Sequence, residues 1–120
     1  MIDKKEAIAR EIEKLKKENP FIIVEGKKDR KALLELGLKN ILVLNETGKS
    51  LYVKIEEFIE KIGKKECIIL TDLDKKGKKL YFILKKQFLE HGIKTNGRLR
   101  EMLIKARISH IEGFATFLED

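Results

Sequence analysis

Phe21-Ile22-Ile23-Val24-Glu25-Gly26-Lys27-Lys28-Asp29 decides the fold, because an apolar run rich in β-branched residues breaks off at an acid, a glycine and two lysines. A continuous run this short does not suit an amphipathic helix; it suits a strand buried on both faces. Glu25 then emerges at the carboxyl edge of the strand, and Gly26 lets the backbone turn tightly there. Two further runs have the same character, Ile41 to Leu44 and Cys67 to Leu70. The second of these ends in Thr71-Asp72-Leu73-Asp74-Lys75-Lys76-Gly77, another acidic strand end followed by lysines.

Helical patterns separate the runs. Leu51, Ile55, Phe58, Ile59 and Ile62 recur at helical spacing on one face, with Ser50 as N-cap and Gly63 as terminator. Lys28 to Leu36 places Ala32, Leu33 and Leu36 together, and Lys76 to His91 does the same for Leu80, Leu84 and Phe88. Strands alternating with such helices predict an α/β domain: a parallel sheet built by right-handed crossovers, with helices on both faces. A fourth strand is expected near Ile93 to Asn96. Ahead of this core, Ile8, Ile12 and Leu15 mark a helix over about residues 2–18 that Asn19-Pro20 stops, placed either to cap the sheet or to meet a partner protein. Behind it, residues 98–120 form a helical extension, with one helix around Leu99, Met102, Leu103 and Ala106 and a shorter one in the final segment. The 120 residues are enough for one domain with a core over about 20–97.

The apolar runs fall far short of the roughly 20 residues that a spanning helix needs, and the first residues lack a secretory apolar segment. The expectation is a soluble, cytoplasmic protein with no membrane partner. A single cysteine, Cys67, excludes a disulfide within the chain and reads as core packing. Charged residues make up 39% of the chain, with a formal balance of +7 and one glutamine. That Lys/Glu-rich bias resembles proteins of hyperthermophiles, and a modest melting temperature would contradict such an origin. The basic surplus favours anionic partners, although a lysine-rich surface also serves solubility.

Alternation along an extended chain points Asp72 and Asp74 the same way. If the first and third strands are neighbours, Glu25 borders the same switch-point crevice, where open α/β sheets place their ligands. Three carboxylates in one place repel unless a cation neutralises them, and an all-oxygen donor set suits Mg²⁺, with Mn²⁺ as the other fit. Singly, each acid has a plainer reading: Asp72 or Asp74 caps the third helix, and Asp29 is a first-turn residue of the helix after Glu25. Lys27, Lys28, Arg30 and Lys31 follow the first strand, and Lys75, Lys76, Lys78 and Lys79 follow the third. Cations around a metal site match what phosphodiester chemistry needs, while some of these lysines serve only as a solvated helix face. Competing motifs fail. An EF-hand loop starting at Asp72 would need Glu where Ile83 stands, and Gly48-Lys49-Ser50 lacks the earlier glycine of a P-loop, Val43 occupying that position. A phosphatase of the haloacid-dehalogenase type has a D-x-D-G-T sequence where this chain has Lys75-Lys76.

The paired segments Phe21 to Asp29 and Ile69 to Gly77, with the glycine-containing loop Asn45 to Ser50, resemble the Toprim superfamily of primases, topoisomerases, recombination-repair proteins and nucleases. The resemblance implies a compact, Rossmann-like, four-stranded parallel sheet. It also implies Glu25 as general acid/base or metal ligand, and Asp72 and Asp74 as Mg²⁺ ligands. Within the superfamily this small chain is most similar to the ribonucleases that mature 5S ribosomal RNA and to their short archaeal relatives, with Ser109-His110-Ile111-Glu112-Gly113 matching a His-containing stretch after their core. Two readings follow as expectations. One is a Mg²⁺-dependent endoribonuclease acting on structured ribosomal RNA, with RNA favoured over DNA. The other is a nucleic-acid-binding subunit without independent catalysis, docked on a partner through the N-terminal helix. A topoisomerase would need a tyrosine-bearing domain and a gate for which the chain has no room.

Overall fold

The computed structural model describes residues 3–46 and 48–119, with Ala115 and Glu119 described for their backbone alone. Position 2 of the expected first helix, Thr47 in the loop after the second strand and the closing Asp120 lie outside those residues. Three strands, β1 (Phe21–Val24), β2 (Ile41–Val43) and β3 (Cys67–Ile69), form one parallel sheet in the order β2-β1-β3. The helices are α1 (Lys4–Glu18), α2 (Lys27–Glu35), α3 (Leu51–Ile62), α4 (Lys75–Glu90), α5 (Arg98–Lys105) and α6 (Phe114–Glu119), with a 3-10 turn at Ile111–Gly113 before the last.

Alternation along the strands divides the core in two. Ile22, Val24, Ile41, Val43, Ile68 and Leu70 face a cluster that includes Ile8, Ile12 and Leu15 of α1, Leu33 of α2, Leu99 and Leu103 of α5, and Phe114 of α6. Ile23, Leu42, Cys67 and Ile69 face the opposite cluster, filled by Ile55, Phe58 and Ile62 of α3 and by Leu84 and Phe88 of α4. Both faces are therefore covered, which is why the strands read as unbroken apolar runs. The apolar stripe of α1 lies in the chain's own core, so this helix caps the sheet. Its ends follow local rules: Asp3 accepts the Glu6 amide at 2.7 Å, and Asn19 closes the helix in the left-handed region at φ 53° before Pro20. Ser50 caps α3 as expected, accepting the Val53 amide.

Among the described residues the sheet has three strands, not the expected four. Residues 93–96 run parallel beside β3 but pair only through a single bridge between Thr95 and Cys67, with hydrogen bonds from Cys67 N to Lys94 O and from Asn96 N to Cys67 O. Ile93 is the one apolar residue of the segment. Asn96 then turns the chain, its side chain accepting the Arg98 amide at 3.0 Å, before a second rung forms. Gly26 is a smaller correction: its φ of −136° is open to any residue, so the turn there does not depend on glycine.

Candidate metal centre

With β1 central, its carboxyl end adjoins that of β3, and the two acidic loops meet there. The parallel ladder between these strands runs as far as the bond from Leu70 N to Ile23 O. Beyond it the strands part, and the Glu25 carbonyl turns to the Asn45 amide of the β2 side. The Glu25 carboxylate takes over the next position, accepting the Asp72 amide through Oε2 at 2.8 Å. Glu25 is thus nearly buried and ties the first acidic loop to the second.

A rigid scaffold holds the second loop. Thr71, wholly buried, donates its hydroxyl to the Gly77 carbonyl at 2.7 Å. The Arg100 guanidinium, also buried, donates to the Thr71 carbonyl and to the Asp72 carbonyl, and stacks on the Tyr81 ring 4.2 Å from its centroid. Burial lowers the Arg100 pKa; Tyr81, Asp72 and Glu25 work against that. Gly77 lets α4 start directly on this loop, since a Cβ there would lie 1.9 Å from the Asp72 carbonyl oxygen. The chain after α5 closes the other side: Leu73 N donates to Ser109 O, and Ile111 N donates to Asp72 Oδ1 at 3.0 Å. Ile111 and Phe114, both buried, fix that segment against the core.

Asp72, Asp74 and His110 come together, with one donor atom from each lying within 4.8 Å of the others. Asp74 Oδ1 caps α4 by accepting the Gly77 amide at 2.8 Å, and its Oδ2 lies 3.6 Å from His110 Nε2. Ser109 Oγ contacts the other ring nitrogen at 2.9 Å. Glu25 is outside this trio, one residue's backbone away. The plainer reading of Asp74 as a helix cap therefore holds together with its place in the cluster. Asp29 is the first-turn residue expected of it, accepting the Gly26 amide at 3.0 Å. Burial raises the Asp29 pKa, and the negative field of Asp72, Glu25 and Glu112 adds to that, while the Gly26 amide opposes it.

The donor chemistry fits a hard divalent cation. Glu25, Asp72 and Asp74 each spend one oxygen on a backbone amide, and the second oxygen makes no hydrogen bond among the described residues. One fixed oxygen from each of a few carboxylates suits an ion that keeps several waters, as Mg²⁺ does, and the imidazole adds a donor that Mn²⁺ also accepts. Lys27, Lys28, Arg30 and Lys31 at the start of α2, and Lys75, Lys76, Lys78 and Lys79 at the start of α4, are all exposed. None of them pairs with an acid among the described residues. Arg100, Thr71 and Gly77 are the parts that sequence reasoning missed, and His110 was only half identified, as a motif match.

A parallel α/β sheet with acids at the carboxyl ends of two adjacent strands, the central β1 and the outer β3, is the arrangement of a metal-binding α/β domain. Residues 22–105 match the Toprim-like family, and the chain belongs to it. A divalent-metal requirement and a function connected with nucleic acid follow from that membership. Among similar proteins, a UPF0292 protein of Methanocaldococcus jannaschii is 36% identical over 87 residues, 72% of this chain and 66% of that protein. A UPF0292 protein of Methanosarcina acetivorans is 31% identical over 98% of this chain and 81% of its own length. A solved structure of a protein from Aquifex aeolicus superposes with a TM-score of 0.75 at 29% identity, covering 89% of this chain and 94% of that one. Among the described residues, no helix is long and apolar enough to cross a membrane.

Proposed function

We propose that this chain is a metal-dependent phosphodiesterase acting on structured RNA, with ribosomal RNA precursors as the first substrates to test. The observation that carries the reading is the convergence of Asp72, Asp74 and His110 at the sheet edge where α2 and α4 start with exposed cations that pair with no acid among the described residues. A bound Mg²⁺ would neutralise phosphate charge and make water more acidic. Asp72 and Asp74 would hold it through the oxygens that the backbone leaves unused. Glu25, fixed by the Asp72 amide, is the general acid/base or a further ligand. His110 faces Asp74 with Nε2 and is placed to ligate or to move a proton. Lysines of α2 and α4 bind the phosphates on either side of the reacting one.

The structural duties of Asp72 and Asp74 favour one other reading. Carboxylates that hold Ile111 and cap α4 would persist in a nucleic-acid-binding subunit with no chemistry of its own. Cleavage of precursor RNA and of DNA, each with Mg²⁺, Mn²⁺ or EDTA, separates the two. Metal-dependent cleavage that an Asp72→Asn Asp74→Asn double variant abolishes supports the first reading. Tight binding without turnover under any metal supports the second, and cleavage in EDTA overturns the metal assignment.

A further inference from the structure

Beside the acidic loop lies a cleft of about 640 Å³ between α4 and α5. Leu73, which separates Asp72 from Asp74 in sequence, lines it, and so does Arg100, which grips the Asp72 carbonyl. The cleft and the acid centre thus share one loop. Its apolar wall holds two residues that folding leaves uncovered: Phe82 is 66% exposed and Ile104 53%. Tyr81 meets Phe82 edge to face, with ring centroids 5.3 Å apart. One face of Tyr81 already stacks on Arg100, so Phe82 is the ring left for a ligand. Four cations, Lys78, Lys85, Arg98 and Arg100, line the cleft against one acid, Glu101.

We propose that this cleft is a stacking subsite for an unpaired nucleotide of the nucleic acid whose backbone lies at the acid centre. The proposal rests on the nucleic-acid reading above and extends it by naming an unpaired base next to the reacting phosphate. An aromatic face beside a basic wall suits a base on its own phosphate better than an apolar protein segment, which four cations would disfavour. Lys78 belongs to both the basic rim and the cleft, so a strand crossing the rim reaches Phe82 without leaving positive surface. Glu101 and the Thr95 hydroxyl supply acceptors for an exocyclic amine.

The test is binding of labelled ribo- and deoxyribo-oligonucleotides, unpaired or as blunt hairpin duplexes, measured by anisotropy in EDTA so that cleavage plays no part. Phe82→Ala should weaken binding of the unpaired strand by roughly tenfold, the scale of one base stack, and leave duplex affinity within about twofold. Because the chain has no tryptophan, Phe82→Trp gives one reporter ring, expected to retain affinity and to be quenched by the unpaired strand. Comparing the ribo- and deoxyribo-strands shows which sugar the cleft prefers. Unchanged affinity in Phe82→Ala with an unquenched Phe82→Trp overturns the subsite while leaving the phosphodiesterase reading in place. Absence of cleavage under every metal, with the Phe82 effects present, does the reverse. If the unaltered protein binds no oligonucleotide in EDTA and none with Mg²⁺ or Mn²⁺, both fail. Phe82 is exposed, so matched thermal melts are expected and confirm that the variants fold.

Discussion

Asp72 Oδ1 holds the Ile111 amide, and Asp74 Oδ1 holds the Gly77 amide, so replacing either residue tests two things unless the substitution is chosen to separate them. Asn keeps an oxygen for the amide and removes the charge. Ala removes both. Asp72→Asn should therefore retain stability in EDTA within about 0.5 kcal/mol, whereas Asp72→Ala and Asp74→Ala should each lose about 1 kcal/mol through an unpartnered amide or a missing cap. Mg²⁺ or Mn²⁺ should raise the melting temperature of the unaltered chain, and Asp72→Asn and Asp74→Asn should each lose that rise. Urea titrations with and without metal read the two effects separately. Asp29 makes a prediction of opposite sign. Its pKa is raised in the folded chain, so the folded state binds protons more tightly than the unfolded state, and stability falls as pH rises from the ordinary carboxylate range near about 4 through the raised value. Asp29→Asn keeps an acceptor for Gly26 and removes that penalty. Its stability relative to the unaltered chain should grow across that window and then level off, as urea midpoints at stepped pH will show. Cys67 is wholly buried, and burial pushes its thiol up to about 12, so it should not react with thiol reagents until the protein unfolds.

At the scale of elements, the start of α4 decides whether the acidic loop can form. Gly77→Ala would drive a methyl group into the Asp72 carbonyl, which Arg100 also holds, so neither partner can retreat without breaking a bond. The expected cost is about 1–3 kcal/mol in urea unfolding, the range of overpacked sites, together with a loss of metal affinity. Ala at Lys76 or Lys78 is the control on the same turn, expected to leave stability within about 0.5 kcal/mol. The sequence motif showed a glycine three residues after Asp74 but not what it must avoid, because the clash is with a carbonyl set by β3. The same limit runs through the site. β1 and its acidic end are legible because an apolar run stopping at Glu25 is a local pattern. The adjacency of β1 and β3 is not a local pattern: reading the sequence needs it as a condition, and the ladder between the two strands supplies it. Arg100 is different: beside Leu99 and Leu103 it reads as an ordinary helix charge, and only the packing of α5 over the end of β3 turns it inward. His110 reaches Asp74 because Ile111 and Phe114 bury their side chains 39 residues or more beyond Asp72, a distance at which spacing says nothing. The missing fourth strand fails for a local reason that composition could have suggested, one apolar residue followed by Lys94, Thr95 and the turn at Asn96.

For the whole molecule, the question is how a centre of acids attracts a polyanion. The protein spans about 41 × 25 × 22 Å, so its long dimension is close to one turn of a nucleic-acid duplex and only a few phosphates can lie against it. On the proposed reading, the exposed cations at the starts of α2 and α4 supply the attraction, and each lysine–phosphate pairing removed should reduce the slope of log affinity against log salt by about one. Ala at Lys75, Lys76, Lys78 and Lys79 together should therefore flatten the slope by up to about four, with the largest loss of affinity at low salt. The acids oppose this attraction until a cation is bound. In EDTA, Asp72 and Asp74 repel the phosphate that the lysines draw in, and the Asp72→Asn Asp74→Asn variant should bind RNA more tightly than the unaltered chain. With Mg²⁺ present, an ion held by those acids would offset their charge and attract the phosphate, and the order should reverse. Affinities of both proteins, measured in EDTA and in Mg²⁺ at one fixed ionic strength, give four values whose crossing is the signature of a metal bridge. If the double variant binds more tightly under both conditions, the acids only repel and no ion connects them to RNA; if it binds more weakly under both, they hold the fold of the binding face and the role of the centre is structural.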